Sequence, residues 1–404
     1  MQLIDIDAFI KKHITKRRDS LLAADLKKYD AELASRIDGK SIIVIGGAGT
    51  IGSSFVKAAL KFKPRRMYVV DTNENGLTEL VRDLRSSTEY NIPDDFKTYP
   101  IDFGAPVFEK MLKLEGPFEI IANFAAHKHV RSEKDHYSIQ AMVENNVIKA
   151  KKLLDLLLEM PPERYFSVST DKAANPVNVM GASKKLMEEV LLAYSRKIPI
   201  STARFANVAF SNGSLLFGFI QRMMKRQPLS SPSDVKRYFV SPEESGQLCL
   251  IACVMGDTGE IFFPKLTEDQ MIFFNDIADD FLREQGLEPL VTNSEEEARS
   301  KARQFDYSQK EYPVFYFPSN TSGEKLYEEF FVEGEQLEMD KFKQLGIIRN
   351  NPAKSIEEMA GVIADLEQLF KDQSLNKSSL VEQLKQIIPN FHHIETGKNL
   401  DSKM

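Results

Sequence analysis

The stretch SIIVIGGAGTIG, Ser41 to Gly52, is a β-branched apolar run that ends in glycines. A run with no polar alternation predicts a strand buried on both faces of a parallel sheet. Gly46, Gly49 and Gly52 then follow at G-x-x-G-x-x-G spacing, and a helical pattern starts with Thr50 and Ile51. Glycine permits the tight turn, lets the backbone approach a pyrophosphate, and leaves amide donors aimed at it from the helix start. The strand-turn-helix context predicts a dinucleotide site; a purely structural glycine turn is the alternative.

Further apolar runs follow at βαβ intervals: 66–71, 96–102, 118–126, 164–170 and 199–205. Helical patterns such as NGLTELVRDLRSS and VIKAKKLLDLLLEM separate them. This alternation predicts an α/β fold, a doubly wound Rossmann-type parallel sheet over 39–212, with 236–262 returning to it. Residues 213–235 and 263–345 read as a smaller α+β substrate lobe. Outside these lie a helical extension over 1–38, a solvated insertion at 294–313, C-terminal helices over 346–390 and a disordered tail from 391 to 404.

Composition narrows the class. The 404 residues are 42% hydrophobic and 28% charged, as in a soluble protein with room for more than one lobe. A net charge of −6 argues against general nucleic-acid binding. No apolar run approaches the ~20 residues of a membrane span, and the charged N-terminal stretch does not read as a signal peptide. The two cysteines, Cys249 and Cys253, lie four apart in a helical pattern and read as buried apolar residues. With no disulfide framework, the expected compartment is the cytoplasm.

Asp71 ends the second strand, where a carboxylate accepts hydrogen bonds from the adenosine ribose and repels a 2′-phosphate. NAD is therefore expected as cofactor; nearby Arg65, Arg66 and Arg82 leave NADP open. Asp102, beside Phe103 at the end of the third strand, is placed to meet the adenine amino group, or else serves as a turn carboxylate.

The segments GGAGTIG, NFAAHKHV, STDKAANPVNVMGASK, RFANV, KRYFVSPEE and SGEKLYEE together resemble the extended short-chain dehydrogenase/reductases, in particular the polysaccharide-biosynthesis branch with UDP-N-acetylglucosamine 4,6-dehydratases. The resemblance runs from about Lys40 to Phe331. It implies oxidation of a nucleotide sugar at C4, loss of the C5 proton with the C6 hydroxyl as water, and return of the hydride to C6. It also implies a homo-oligomer built on helix pairs. One departure is Arg131, where the family has a proline after HKHV.

Thr170, Asp171 and Lys172 match the family's catalytic triplet. The strand before them would deliver Thr170 toward the C4 oxygen, Asp171 as acid toward the C6 hydroxyl and Lys172 as base at C5. An ordinary Asp–Lys ion pair in a turn is the alternative. Lys184 matches the lysine of the Tyr-x-x-x-Lys pair and would bond the nicotinamide ribose. Met180 occupies the tyrosine position, one helical turn before it. A thioether moves no protons, but the family includes a methionine-bearing branch.

Ala125 and Ala126 would let the backbone approach the cofactor, while Asn145 or Asn146 fixes the site by backbone hydrogen bonds. By resemblance His127, Lys128 and His129 border the sugar; they show no metal-site spacing. Asn207 and Arg237 match positions that meet the diphosphate, a task suited to the guanidinium fork; an inter-lobe salt bridge is the other reading of Arg237. Glu324 and Lys325 would lie near the uridine. A 4-epimerase or ketoreductase, which usually needs the tyrosine, and a catalytically silent nucleotide-sugar-binding subunit are the competing functions.

Overall fold

The computed structural model describes residues 4–306, 308–325, 327–349 and 354–397. Its central sheet has nine strands, in the order Gln336–Glu338, Leu345–Arg349, Glu260–Pro264, Ile200–Ala203, Arg164–Val168, Ile120–Asn123, Ser41–Ile45, Arg66–Val70 and Asp95–Tyr99. The seven from Glu260–Pro264 onward pair in parallel. The first two are antiparallel additions at one edge. This is the doubly wound α/β architecture expected from the sequence.

The apolar run at Ser41–Ile45 is buried along its whole length, and its side chains divide between two cores. Ile42 and Val44 face a cluster with helices Thr50–Leu60, Pro242–Met255 and Ala23–Ile37; Ile43 and Ile45 face helices Pro106–Glu115, Val179–Tyr194, Ile356–Leu369 and Lys377–Ile387. The strand period of two makes this division, and helices on both faces require the run to lack polar positions. Cys249 and Cys253 lie fully buried in the first cluster as free thiols, and burial pushes Cys253 up to about 12.

The smaller lobe has a three-stranded parallel sheet with Glu311–Phe317 between Glu288–Val291 and Leu229–Pro232. The stretch 294–313, expected as a solvated insertion, instead supplies helix Glu295–Gln304 and the start of that middle strand. Ala298, Ala302, Phe305 and Tyr312 are buried there. The alternating charges of the helix mark its outer face only. Residues 336–349 also depart from the expected lobe boundary, since they form the antiparallel edge of the main sheet.

The leader spans both bodies. Phe9, Ile10 and Ile14 join the core of the smaller lobe, and His13 pairs with Asp280 at 3.1 Å and Glu284 at 2.7 Å. Arg17 and the Leu21 amide then reach Glu244, the capping-box residue of helix Pro242–Met255. Asp25, fully buried, accepts the amides of Lys343 and Gln344.

At the other end, residues 391–397 are not a loose tail. Phe391 is buried, the amides of His392 and Ile394 donate to Pro176 and Val177, and Gly323 N donates to the Ile394 carbonyl. His393 pairs with the buried Glu133 at 3.2 Å. The remainder of that expected tail, 398–404, lies outside the described residues.

Candidate functional site

Chain order reverses at the sheet's centre: the second and third strands lie on one side of Ser41–Ile45 and the fourth on the other. Ligands of open α/β sheets bind at that switch, beyond the carboxyl ends of the strands. A cavity of about 230 Å³ opens there, lined by Ile45, Val70 and Val168 at three strand ends. Gly46, Gly49, Thr50, Ile51 and Gly52 form one wall, and Asp71, Asp102, Phe103, Ala125, Ala126 and Asn145 complete it. The side chains read as cofactor-binding are thus brought together, Lys184 excepted.

Gly46 has φ +76°, and a Cβ on it would lie 2.4 Å from the Ala125 amide nitrogen. On Gly52 a Cβ would lie 2.3 Å from the Gly46 carbonyl oxygen. Only hydrogen at these two positions permits this turn, so the cradle fits a pyrophosphate approaching bare backbone. Asp71 braces it by accepting the amides of Ala48 at 3.0 Å and Asn73 at 2.9 Å.

Asp102 lines the cavity, as expected, but also pairs with Lys149 at 2.5 Å and accepts the Gly104 amide at 2.8 Å. Burial works against its ionised form; Lys149 and Gly104 outweigh that and hold the carboxyl below its usual value. Lys149 is a residue the sequence reading missed. Asn145 lines the cavity, while its neighbour Asn146 does the clamping: buried, it accepts the His127 amide at 2.8 Å and donates to the His127 carbonyl at 2.9 Å. His127, Lys128 and His129 are exposed, the first two on the cavity wall and His129 against Gly213. Although these residues keep contact with solvent, the protein packed around their titrating groups lowers all three, reinforced at His127 by Lys149 and at His129 by Lys128. Among the described residues no cluster of His, Cys, Asp and Glu could hold a metal ion.

Two residues after Val168 the chain makes a short 3-10 turn. Asp171 is buried, and its Oδ1 accepts the Thr170 hydroxyl at 2.8 Å, the Lys172 amide at 2.9 Å and the Lys172 ammonium at 3.0 Å. Lys172 Nζ also lies 3.8 Å from Glu328, and Glu328 lies 3.8 Å from Arg237. Arg237 Nη2 donates to the Lys325 carbonyl at 2.8 Å, while Lys325 Nζ reaches the Asn175 carbonyl at 2.6 Å. The triplet, Arg237 and Lys325 therefore form one cluster. Glu324 is held by the Thr321 hydroxyl, and the Asn207 amide donates to Tyr238 at 3.0 Å. Glu328, in the SGEKLYEE segment, was not singled out from the sequence.

Asn178 caps the next helix by accepting the Gly181 amide at 2.8 Å. That fixes Met180 in the first turn, buried. Lys184 is buried too, but its Nζ donates to the Val168 carbonyl at 3.0 Å and does not line the cavity. Burial lowers this ammonium to about 8, against the pull of Glu188. Beneath the turn, Glu188 accepts the Ser169 hydroxyl at 2.6 Å and Arg204 at 2.9 and 3.0 Å. Arg204, fully buried, also meets Glu335 at 3.0 Å.

A larger cavity, about 890 Å³, lies between the leader helix and helix Thr50–Leu60. Its rim mixes lysines and carboxylates, and neither the glycine turn nor the Thr170–Lys172 turn reaches it. The glycine turn and the end of the strand that leads to Thr170–Lys172 line the smaller one. No described helix is long and apolar enough to cross a membrane.

Residues 42–350 match a family model described as polysaccharide biosynthesis protein. An uncharacterised membrane protein of Methanocaldococcus jannaschii is 30% identical over 315 residues, 76% of this chain and 85% of that one. A UDP-N-acetylglucosamine 4,6-dehydratase (inverting) of Campylobacter jejuni is 25% identical over 238 residues, 57% of this chain and 68% of that one. Two further polysaccharide-biosynthesis relatives are matched over 41% and 47% of their own length. Among solved structures, a dTDP-glucose 4,6-dehydratase of Streptomyces venezuelae with NAD bound superposes with a TM-score of 0.55 at 18% identity, over 72% of this chain and 88% of that one. With the family model spanning most of the chain and the sheet order of that fold, the chain belongs to the polysaccharide biosynthesis protein family, a branch of the extended short-chain dehydrogenase/reductases.

Proposed function

We propose that the protein is an NAD-dependent nucleotide-sugar 4,6-dehydratase acting on UDP-N-acetylglucosamine, for glycan assembly. The observation that carries this reading is the Asp171–Lys172 pair, 3.0 Å apart on the turn after a strand whose last residue, Val168, lines the cavity. Bound in that cavity, NAD would supply a reversible hydride acceptor and donor. The glycine turn holds its pyrophosphate and Asp71 its ribose, which favours NAD over NADP.

Elimination of water needs a base at C5 and an acid at the C6 oxygen. One proton moved from Lys172 Nζ to Asp171 Oδ1 converts the ion pair into an amine and a carboxylic acid, the two forms required, with no change in net charge. The proton that the C4 hydroxyl loses on oxidation leaves through water, since Met180 cannot take it. Lys172 then takes the C5 proton and later returns one there, Asp171 protonates the departing hydroxyl and regains a proton from solvent, and Thr170 hydrogen-bonds the C4 oxygen. Arg237 and Asn207 receive the diphosphate, Glu324 and Lys325 the uridine side, and His127 to His129 border the sugar. Met180 at the tyrosine position favours dehydration over epimerisation, which usually needs the phenol. Self-association belongs to the same reading, and light scattering of the purified chain tests it.

The decisive experiment incubates the protein with UDP-N-acetylglucosamine and NAD in D2O and reads the product by NMR. A 6-deoxy-4-keto sugar with deuterium at C5 is expected. A C4 epimer, or unchanged sugar, rejects the proposal. Lys172→Ala is expected to abolish C5 exchange while NAD remains bound; unimpaired turnover removes Lys172 from the role of base.

A further inference from the structure

Resting on that reading of Arg237 and Lys172, we infer that Glu328 is a positioning residue that couples the two ends of the site: when a diphosphate draws Arg237 away, the Glu328 carboxylate takes up a proton from solvent. The negative charge beside Lys172 then disappears only while substrate is bound.

The argument starts from geometry. Glu328 is 4% exposed, and its Oε1 stands 3.8 Å from Lys172 Nζ and 3.8 Å from Arg237 Nη2. One buried oxygen is shared by the base and the diphosphate arm. A carboxylate so deep in protein survives only with counter-charges. Those facing it are Lys172, Arg237 and Lys325, while Asp171 repels it. Burial already pushes this carboxyl above its ordinary value, so the three cations compensate it incompletely. Turning Arg237 toward a diphosphate removes one of them, and the bidentate phosphate contact is the stronger bond. The remaining carboxylate is then more costly than its acid, and one O–H bond forms with a proton from the buffer. No other bond changes.

The consequence reaches Lys172. A nearby carboxylate favours the ammonium form and opposes the proton shift to Asp171. Neutral Glu328 withdraws that opposition. In the free enzyme the cluster stays as ion pairs; with a diphosphate on Arg237 the amine form of Lys172 becomes accessible.

Calorimetry of UDP binding to the NAD-loaded protein, repeated in buffers of different ionisation enthalpy, counts the protons taken up. Wild type is expected to take up a measurable fraction of one proton more than Glu328→Gln, in which the ligand's own titration is the same. Glu328→Asp, which keeps the carboxyl, retains the uptake. Arg237→Gln, which removes the cation beforehand, loses it although Glu328 is present. Equal uptake by wild type and Glu328→Gln overturns the inference, as does undiminished uptake in Arg237→Gln or failure of wild type to bind UDP. If the excess uptake is found but the NMR product is a C4 epimer, the dehydratase reading falls and the coupling stands.

Discussion

Gly52 leaves no room for a side chain: a Cβ there would stand 2.3 Å from the Gly46 carbonyl oxygen. Gly52→Ala must therefore shift the turn, at about 1–3 kcal/mol of strain. NAD affinity is expected to fall roughly 10- to 100-fold, read by fluorescence titration. Lys184 presents a different balance. Its buried ammonium titrates at about 8 rather than at the ordinary lysine value near 10.4, so the unfolded chain binds more protons between those limits. Stability contributed by this site therefore rises with pH across that window, and below it the burial penalty is fully present. Lys184→Met is expected to stabilise the fold at pH 7 by at most about 3 kcal/mol, with the gain shrinking toward pH 10. Urea unfolding at both pH values checks it; an equal gain at each contradicts the assignment. At this scale the sequence was informative about placement wherever a residue follows a strand end: Asp71 lines the cavity and Lys172 stands beside Asp171. Glu328 was illegible because nothing in the local sequence separates it from its neighbour Glu329, and only the tertiary fold carries it to Lys172.

Among the elements, the strand and helix alternation was readable because burial on both faces forbids polar positions in the central strands. Helix Glu295–Gln304 was misread for the converse reason: one small buried face, Ala298 and Ala302, is overwhelmed by charges on the rest of its surface. The link between elements at Arg204 is equally invisible in one dimension, since Glu188 and Glu335 belong to a helix and a distant turn. Arg204→Met leaves the buried Glu188 carboxylate and the half-buried Glu335 carboxylate without their shared cation, a loss of about 3–5 kcal/mol in denaturant unfolding. For Glu188, burial opposes the charged form, yet Arg204 holds the carboxyl below its usual value. A depressed carboxylate stabilises above its unfolded value near 4.3 and loses that contribution as pH falls through the folded one. The difference between wild type and Arg204→Met should therefore narrow in acid below about pH 4; a gap independent of pH speaks against a charged network.

For the whole molecule, residues 391–397 bind the Pro176–Val177 loop to the Gly323 loop, which adjoin the Thr170–Lys172 turn and the Glu324–Lys325 pair proposed above as catalytic and uridine-binding. Cutting the chain after Asn390 frees both loops, and ordering them again on binding costs on the order of 1 kcal/mol for each side chain immobilised. KM for UDP-N-acetylglucosamine is expected to rise roughly tenfold. NAD affinity, set by the glycine turn, should change little. Steady-state kinetics with an NAD titration tests this, and an unaltered KM removes the tail from substrate binding.

The leader imposes a schedule on synthesis. Asp25 waits for the amide of Lys343, 318 positions downstream, before its buried carboxylate finds a partner. At ribosomal speeds of about 5–20 residues per second, that wait lasts some tens of seconds. For most of it the apolar residues at 9, 10 and 14 also lack the core they later join, whose members run from Ala209 to Val314, so the nascent chain is most vulnerable at the segment that later ties its two bodies together.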